Sequence, residues 1–319
     1  MSLCGIDPYP GTLNIILEDA ENLAAWRTVK SQPGHPVRSE DPAACDATLY
    51  PVRLRDAIPG VVILPDVPGY ADEQVEVVAA VSLREQLDLR DGDQLEIAGE
   101  VARPVNAVIF DVDGTLLNSL EGYRIAASRA TAPYGYEVTY EAVRQSLNMN
   151  QPFWDFIIPA GQPRDPAFIA KLRDETMRHW PAVRDAHVHT LPGLTGVLER
   201  LADAGVRLGI FTGSDGESLP CLEKAGLLDR FEVIVTRRDV EKFKPDPAGL
   251  IECMKRMGVT AQKTVYVGDS RIDVQASLAA GVMSIAVLSG AGDSASLSAA
   301  GAHRLLAEIA LLPDLLNIA

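Results

Sequence analysis

The stretch Val105-Asn106-Ala107-Val108-Ile109-Phe110-Asp111-Val112-Asp113-Gly114-Thr115 decides how the chain reads. The apolar run from Val105 to Phe110 has the character of a strand buried on both faces. It ends in two carboxylates two residues apart, which leave extended backbone on the same side. One can act as a nucleophile on phosphorus while the other shuttles a proton. Gly114 permits the tight turn away from the sheet. An aspartate-rich turn without chemistry has the same letters, so the pair has to be weighed with the rest of the chain.

Downstream, strand-like runs alternate with longer amphipathic stretches. The strands are expected at Val105–Phe110, Val206–Phe211, Glu232–Val235, Thr264–Val267 and Met283–Leu288, and the helices near 194–204, 216–226, 246–257 and 271–280. That alternation predicts an α/β fold, a doubly wound parallel sheet with helices on both faces. Residues 119–190 break the rhythm: they are helical, with aromatics and prolines, and read as a cap inserted after the first strand. Residues 289–302, rich in Ser, Ala and Gly, read as a loop with a weak helix.

Ligands of such sheets bind at the carboxyl ends of the strands, and three further polar groups fall there. Phe211-Thr212-Gly213-Ser214 offers a hydroxyl and free backbone N–H groups that can hold phosphate oxygens, or a plain helix cap. Lys244-Pro245-Asp246-Pro247 places a lysine in a proline-fixed loop, where it can neutralise charge on phosphate and nucleophile or lie on solvated surface. Val267-Gly268-Asp269-Ser270-Arg271-Ile272-Asp273 brings Asp269 to another strand end, suited to a hard cation such as magnesium, with Asp273 able to support Lys244 or the metal shell.

In this order and at these strand ends, the four segments resemble the four signature motifs of the haloacid dehalogenase (HAD) superfamily, and Phe110-Asp111-Val112-Asp113-Gly114-Thr115 is close to its most specific one. The resemblance covers about residues 105–319. It implies a phosphatase in which Asp111 forms an aspartyl-phosphate and Asp113 serves as acid and then base. Thr212, Gly213 and Lys244 would bind the phosphoryl group. Mg2+ would be held by Asp111, the backbone carbonyl of Asp113, and Asp269, with Asp273 in support. Dehalogenases of the superfamily lack the second carboxylate, so Asp113 argues against that chemistry. The insertion resembles the helical C1-type cap of phosphoglycolate-phosphatase-like members, which closes over the site and selects the substrate. Phe153 and Trp154 in that segment either stack on a flat substrate ring or pack the cap's interior.

Before Gly99 the chain has a different texture. Short apolar runs at Thr12–Leu17, Leu49–Leu54, Val61–Leu64 and Val75–Ala79 are divided by Pro10-Gly11, Pro59-Gly60 and Pro68-Gly69, with a short helix at Ser82–Leu87 and a last strand at Gln94–Ala98. The pattern predicts a small β-barrel domain over 1–102, followed by the HAD domain over 103–319. Residues 5–98 resemble the archaeal CTP-dependent riboflavin kinases, through Pro8-Tyr9-Pro10-Gly11-Thr12-Leu13-Asn14, Tyr50-Pro51-Val52, Gly60–Pro65, Val75–Ala79 through Leu83-Arg84-Glu85, and Leu89–Asp93. The resemblance implies a metal and nucleotide near Thr12 and Asn14, flavin at Glu76, and a nucleotide border at Val81–Arg84. The chain departs from the family's pattern by starting only a few residues before the first segment, where the family has a glycine-rich nucleotide-binding stretch. It also carries Pro68 where the family has a threonine, and proline has neither hydroxyl nor N–H to offer. The domain is therefore expected to have lost kinase activity and to serve as a flavin-binding or structural module. FMN or a phosphorylated ribityl precursor of riboflavin follows as the expected substrate, with a phosphoglycolate-type metabolite as the alternative.

Bulk properties narrow the classes. The 319 residues are 47% hydrophobic and 23% charged, as for a globular protein, and the length suits two domains. A net charge of -15 repels phosphate backbones and argues against nucleic-acid binding. No apolar run reaches the roughly 20 residues of a membrane span, and the first residues do not read as a secretory signal. A cytoplasmic protein acting on a small phosphate ester is expected. Cys4, Cys45, Cys221 and Cys253 are too scattered for a zinc site and read as reduced thiols.

Overall fold

The computed structural model describes residues 9–30, 34–37, 45–55, 58–67, 69–99, 105–149, 152–316 and 318. The chain divides into two compact units, one of residues 1–103 with 314–317 and the other of residues 104–313 with 318–319.

The first unit is an antiparallel half-barrel. Its strands are β1 (Leu13–Ile16), β2 (His35–Val37), β3 (Ala47–Leu54), β4 (Ile58–Pro65), β5 (Gln74–Ala79) and β6 (Ile97–Gly99), with helices α1 (Ala20–Lys30) and α2 (Leu83–Gln86). The sheet order is β1-β5-β4-β3-β2, and β6 pairs with β3. Alternation sends Val75 and Val77 of β5, with Val52 and Leu54 of β3, into a core that Trp26 of α1 completes. The sequence reading missed α1. Its apolar stripe is only Leu23, Trp26 and Val29, spaced three apart, too narrow to stand out among polar neighbours. The helix is set instead by its ends: Asn22 N donates to Asp19 Oδ1 at 2.7 Å at the start, and Arg27 and Lys30 sit in the last turn. The last strand is shorter than expected, because only Ile97–Gly99 pair with Val52–Leu54. Pro68 and Cys4 lie outside the described residues.

The second unit holds a six-stranded parallel sheet. Its strands are β7 (Ala107–Phe110), β8 (Arg207–Phe211), β9 (Val233–Val235), β10 (Thr264–Gly268), β11 (Met283–Val287) and β12 (Arg304–Leu306). Its helices are α3 (Leu120–Thr131), α4 (Tyr140–Met149), α5 (Phe153–Ile157), α6 (Pro166–His187), α7 (Leu194–Asp203), α8 (Leu219–Lys224), α9 (Ala248–Met257), α10 (Arg271–Ala279) and α11 (Ser294–Ala299). The order is β12-β11-β10-β7-β8-β9. All four residues of β7 are fully buried, as a central strand covered on both faces requires. β12 was not anticipated: Arg304-Leu305-Leu306 is too short a run to read as a strand before its parallel pairing with β11 is seen.

Strand order positions the site. β7 lies between β8 and β10, so the chain leaves it to opposite sides, and a crevice opens at the carboxyl ends of these three neighbours. Helices α3 to α6 form the inserted cap. Its two connections run side by side: Leu117 bridges Thr190, Leu191 N donates to Leu116 O at 2.9 Å, and Asn118 N donates to His189 O at 3.0 Å.

Candidate active site

Asp111 follows β7, Thr212 follows β8 and Asp269 follows β10. Parallel register brings these three strand ends together, and a last ladder bond, Asp111 N to Val267 O at 2.8 Å, extends the pairing to the aspartate itself. Lys244 reaches the same point from the loop before α9. Its ammonium donates to Asp111 Oδ1 at 2.6 Å and to Asp273 Oδ1 at 2.7 Å. It also lies 4.8 Å from the centre of the Phe211 ring and 5.3 Å from that of Tyr266.

The lysine is buried, as are Asp111, Asp269 and Asp273. Burial alone would lower its pKa, but the Asp111 and Asp273 carboxylates outweigh that and hold it above the ordinary lysine range. Asp111 is pushed up by burial, against the pull of Lys244. Asp269 is pushed well up by burial, then by the charges of Asp273 and Asp111. Three buried carboxylates thus crowd one ammonium, so the charged forms of Asp111 and Asp269 are disfavoured unless a further cation joins them.

The residues fit a hard divalent cation. Carboxylate oxygens of Asp111, Asp269 and Asp273 lie within 4.8 Å of one another. Their hydrogen bonds leave different numbers of lone pairs open. Asp273 Oδ1 accepts from Lys244 and from Tyr266 Oη at 3.1 Å, and its Oδ2 accepts from Ser270 N at 3.0 Å and from Ser270 Oγ. Lys244 and the Ser270 amide and hydroxyl are three committed donors, and Tyr266 Oη divides its one proton between Asp273 Oδ1 and Phe211 O at 3.0 Å, so Asp273 is the most heavily bonded of the three carboxylates. Asp269 takes one donor on each oxygen, from Thr115 Oγ1 at 3.1 Å and Ala291 N at 2.7 Å, which leaves a lone pair on each. Asp111 Oδ2 accepts no bond among the described residues. Two glycines keep Asp269 accessible. A Cβ on Gly290 would lie 2.0 Å from Asp269 Oδ2, and one on Gly114, whose φ is +85°, would lie 2.5 Å from it.

Asp113 sits half-buried beside the pair. Burial raises its pKa, and a hydrogen bond from Ser218 Oγ to its Oδ1 at 2.6 Å opposes the rise. Thr212 is buried and its hydroxyl accepts from Ser214 N at 3.2 Å, while Gly213 beside it is exposed. Sequence reasoning missed Ser218, Thr115 and Tyr266. Ser218 looks like an ordinary helix cap, Thr115 like the end of a turn, and Tyr266 like one more apolar letter in β10.

The cap meets the core through polar ties. Asn148 of α4 accepts from Arg271 N and donates to Ser296 Oγ, both at 3.1 Å. Trp154 is buried within the cap, and half-buried Phe153 packs edge-on against it with ring centres 4.9 Å apart. Both aromatics are therefore packing residues. Trp154→Ala is expected to cost about 3–5 kcal/mol and to change KM less than about threefold, measured by thermal melts and steady-state kinetics.

In the first unit, Asn14 lies on a cleft of about 1020 Å³ whose walls also carry Glu18, Asp19, Trp26, Arg84 and Asp93. Thr12 and Asn14 are exposed. Glu76 is directly opposite Asn14 in the β1–β5 pair and accepts from Tyr70 Oη at 3.0 Å. The sheet therefore brings Asn14 and Glu76 together.

Residues 108–287 match the family model of the haloacid dehalogenase-like hydrolases. The chain belongs to this family. The hydrolase is 30% identical over 219 residues to the phosphoglycolate phosphatase of Rhodospirillum rubrum, an alignment spanning 66% of this chain and 90% of that protein. A crystal structure described as a haloacid dehalogenase-like hydrolase from Bacteroides fragilis superposes with a TM-score of 0.58 at 25% identity, covering 65% of this chain and 99% of that one. Another, described as a β-phosphoglucomutase from Thermotoga maritima, gives 0.55 at 26% identity, with 67% and 99% covered. Residues 1–98 match the CTP-dependent riboflavin kinase model, which is described as a domain of unknown function. The hydrolase is thus a phosphoric monoester hydrolase with a riboflavin-kinase-like domain at its N-terminus. Among its described residues no helix is long and apolar enough to cross a membrane.

Proposed function

We propose that the chain hydrolyses a small phosphate monoester through an aspartyl-phosphate on Asp111, with magnesium as cofactor. The observation that carries this reading is the buried Lys244 bridge, which aims an ammonium at the side chain that would take the phosphoryl group. Asp111 Oδ2 and Asp269, with the carbonyl of Asp113, would hold the ion. When bound, it supplies positive charge for the oxygens of the transferring group. Lys244 adds charge from the protein side, and Thr212 and Gly213 supply donors to the phosphoryl oxygens. Asp111 attacks phosphorus as the ester bond breaks. Asp113, kept protonated more readily by burial, gives its proton to the leaving oxygen and later takes one from the attacking water. Asp273 is bonded on both oxygens by Lys244 and Ser270 and serves to hold Lys244.

For the substrate, the fused riboflavin-kinase-like domain favours FMN or a phosphorylated ribityl precursor of riboflavin, with residues 1–102 as a flavin-binding or structural module in the cytoplasm and residues 103–319 as the phosphatase. The phosphoglycolate phosphatase relatives favour a second reading, a small acidic metabolite with the N-terminal domain non-catalytic. Phosphate release from FMN, the ribitylaminouracil phosphate and phosphoglycolate separates them. A hundredfold preference in kcat/KM, about 2.7 kcal/mol of transition-state discrimination, for a flavin-pathway ester establishes the first, and the same preference for phosphoglycolate establishes the second. Chelation with EDTA is expected to abolish release and added magnesium to restore it. Full activity in EDTA would refute the cofactor. Riboflavin fluorescence anisotropy tests the N-terminal module, and CTP-dependent FMN formation would show that it is a kinase after all.

A further inference from the structure

Ser218 stands just before α8, where a serine ordinarily turns its hydroxyl onto the first amides of the helix. Here it makes no such bond. Its hydroxyl donates instead to Asp113 Oδ1 at 2.6 Å, across 105 residues of sequence. Ser218 is 1% exposed, so water does not share the bond.

The peptide before it is gripped by the cap. Glu217 O accepts from Trp180 Nε1 at 3.3 Å and from an Arg184 guanidinium nitrogen at 3.2 Å, both on α6. Trp180 is itself fixed by Tyr123 of α3, with ring centres 4.1 Å apart and planes 10° from parallel. The cap thus holds the backbone that aims Ser218, and Ser218 holds Asp113.

We propose that Ser218 is a positioning residue for proton transfer, and that α6 of the cap sets its place through the carbonyl of Glu217. This rests on the aspartyl-phosphate reading above. A hydroxyl has one proton to give. Given to Oδ1, it keeps that oxygen an acceptor, so the acid proton of Asp113 resides on Oδ2. In the first step an Asp111 oxygen bonds to phosphorus, the ester bond breaks, and the Oδ2 proton passes to the leaving oxygen. In the second, water bonds to phosphorus, its proton returns to Oδ2, and the bond from phosphorus to Asp111 breaks. Without Ser218 the carboxyl loses its short bond at Oδ1 and keeps only the weaker influence of the neighbouring Ser119 and Tyr123 hydroxyls, and both transfers lose alignment.

The two half-reactions give the test. p-Nitrophenolate leaves without a proton, so the first step with p-nitrophenyl phosphate does not need Asp113, whereas attack by water always does. Ser218→Ala in the full chain with magnesium is expected to lower kcat for glycerol 2-phosphate about ten- to hundredfold, within the range of acid–base contributions, with KM changed less than twofold. Stopped-flow with p-nitrophenyl phosphate should then show a burst near one equivalent of p-nitrophenolate per enzyme, followed by slow turnover. Arg184→Met, remote from the chemistry, should show the same burst followed by faster turnover than Ser218→Ala. Loss without a burst, or a kcat within twofold of the parent on glycerol 2-phosphate, overturns the inference. Failure of the underlying reading looks different: the parent enzyme itself would form no acid-stable, hydroxylamine-sensitive phosphoprotein.

Discussion

Asp111→Asn is expected to lower phosphate release at least about 10⁴-fold, as loss of a covalent nucleophile does, while raising the melting temperature of the metal-free protein. The first effect follows from chemistry: an amide oxygen does not form the acyl-phosphate, and no second carboxylate is free to replace it. Asp273 is engaged on both oxygens by Lys244 and Ser270, and Asp113 is held by Ser218. The second effect follows from charge. Asp111, Asp269 and Asp273 are all buried around one ammonium, and Asp111 is held above the usual carboxylate range by that burial. Asparagine removes one desolvated charge and keeps an oxygen for Lys244. Such relief is worth about 1–2 kcal/mol, a rise of roughly 2–8 °C for a domain of this size. Phosphate assays and melts in EDTA check both. Residual activity above one per cent would mean the nucleophile lies elsewhere, and a fall in melting temperature would mean the cluster is not under-neutralised. Magnesium should erase the thermal difference, because the parent protein gains the cation's charge where the variant has lost a ligand.

The two effects have one origin, and it was partly visible in the sequence. Apolar runs that end in Asp111, Thr212 and Asp269 put those residues at strand ends, and a parallel sheet places neighbouring ends in one crevice. Lys244 could be placed only by analogy, because a lysine in a loop reads the same whether solvated or buried. Its contacts to Asp111 and Asp273 span 133 and 29 residues of chain. Ser218 was illegible for the same reason: its local context says helix cap, and its partner is 105 residues away. Trp154 shows the reverse limit. Its residue type suits stacking on a substrate as well as packing, and only burial within the cap core decides between them. In the N-terminal unit, apolar runs between Pro/Gly turns marked β1 and β3 to β6 but neither the short β2 nor α1, whose identity depends on Asp19 and Trp26 rather than on periodicity. Sequence patterns thus report what neighbours in the chain do together, whereas the candidate site's side chains are coupled across the fold.

Lys244→Met tests that coupling in the other direction. Methionine keeps the length and apolar contacts of the side chain against Phe211 and Tyr266. It leaves Asp111 and Asp273 buried without their cation. Removing one partner of a buried ion pair costs about 3–5 kcal/mol, a drop of roughly 6–20 °C. Tyr266 and Ser270 still donate to Asp273, so the loss should fall toward the lower end of that range. Activity should fall by about 10³-fold, since the charge facing the transferring group is gone. Crossing the two substitutions makes the test sharp. Asp111→Asn removes one of the two charges that Lys244→Met strands, so the double variant should be more stable than the sum of the two single effects predicts, by about 1–3 kcal/mol of coupling. Simple additivity in that cycle, read from denaturant midpoints in EDTA, would show that the lysine is held by packing and that its bridge to the nucleophile is incidental.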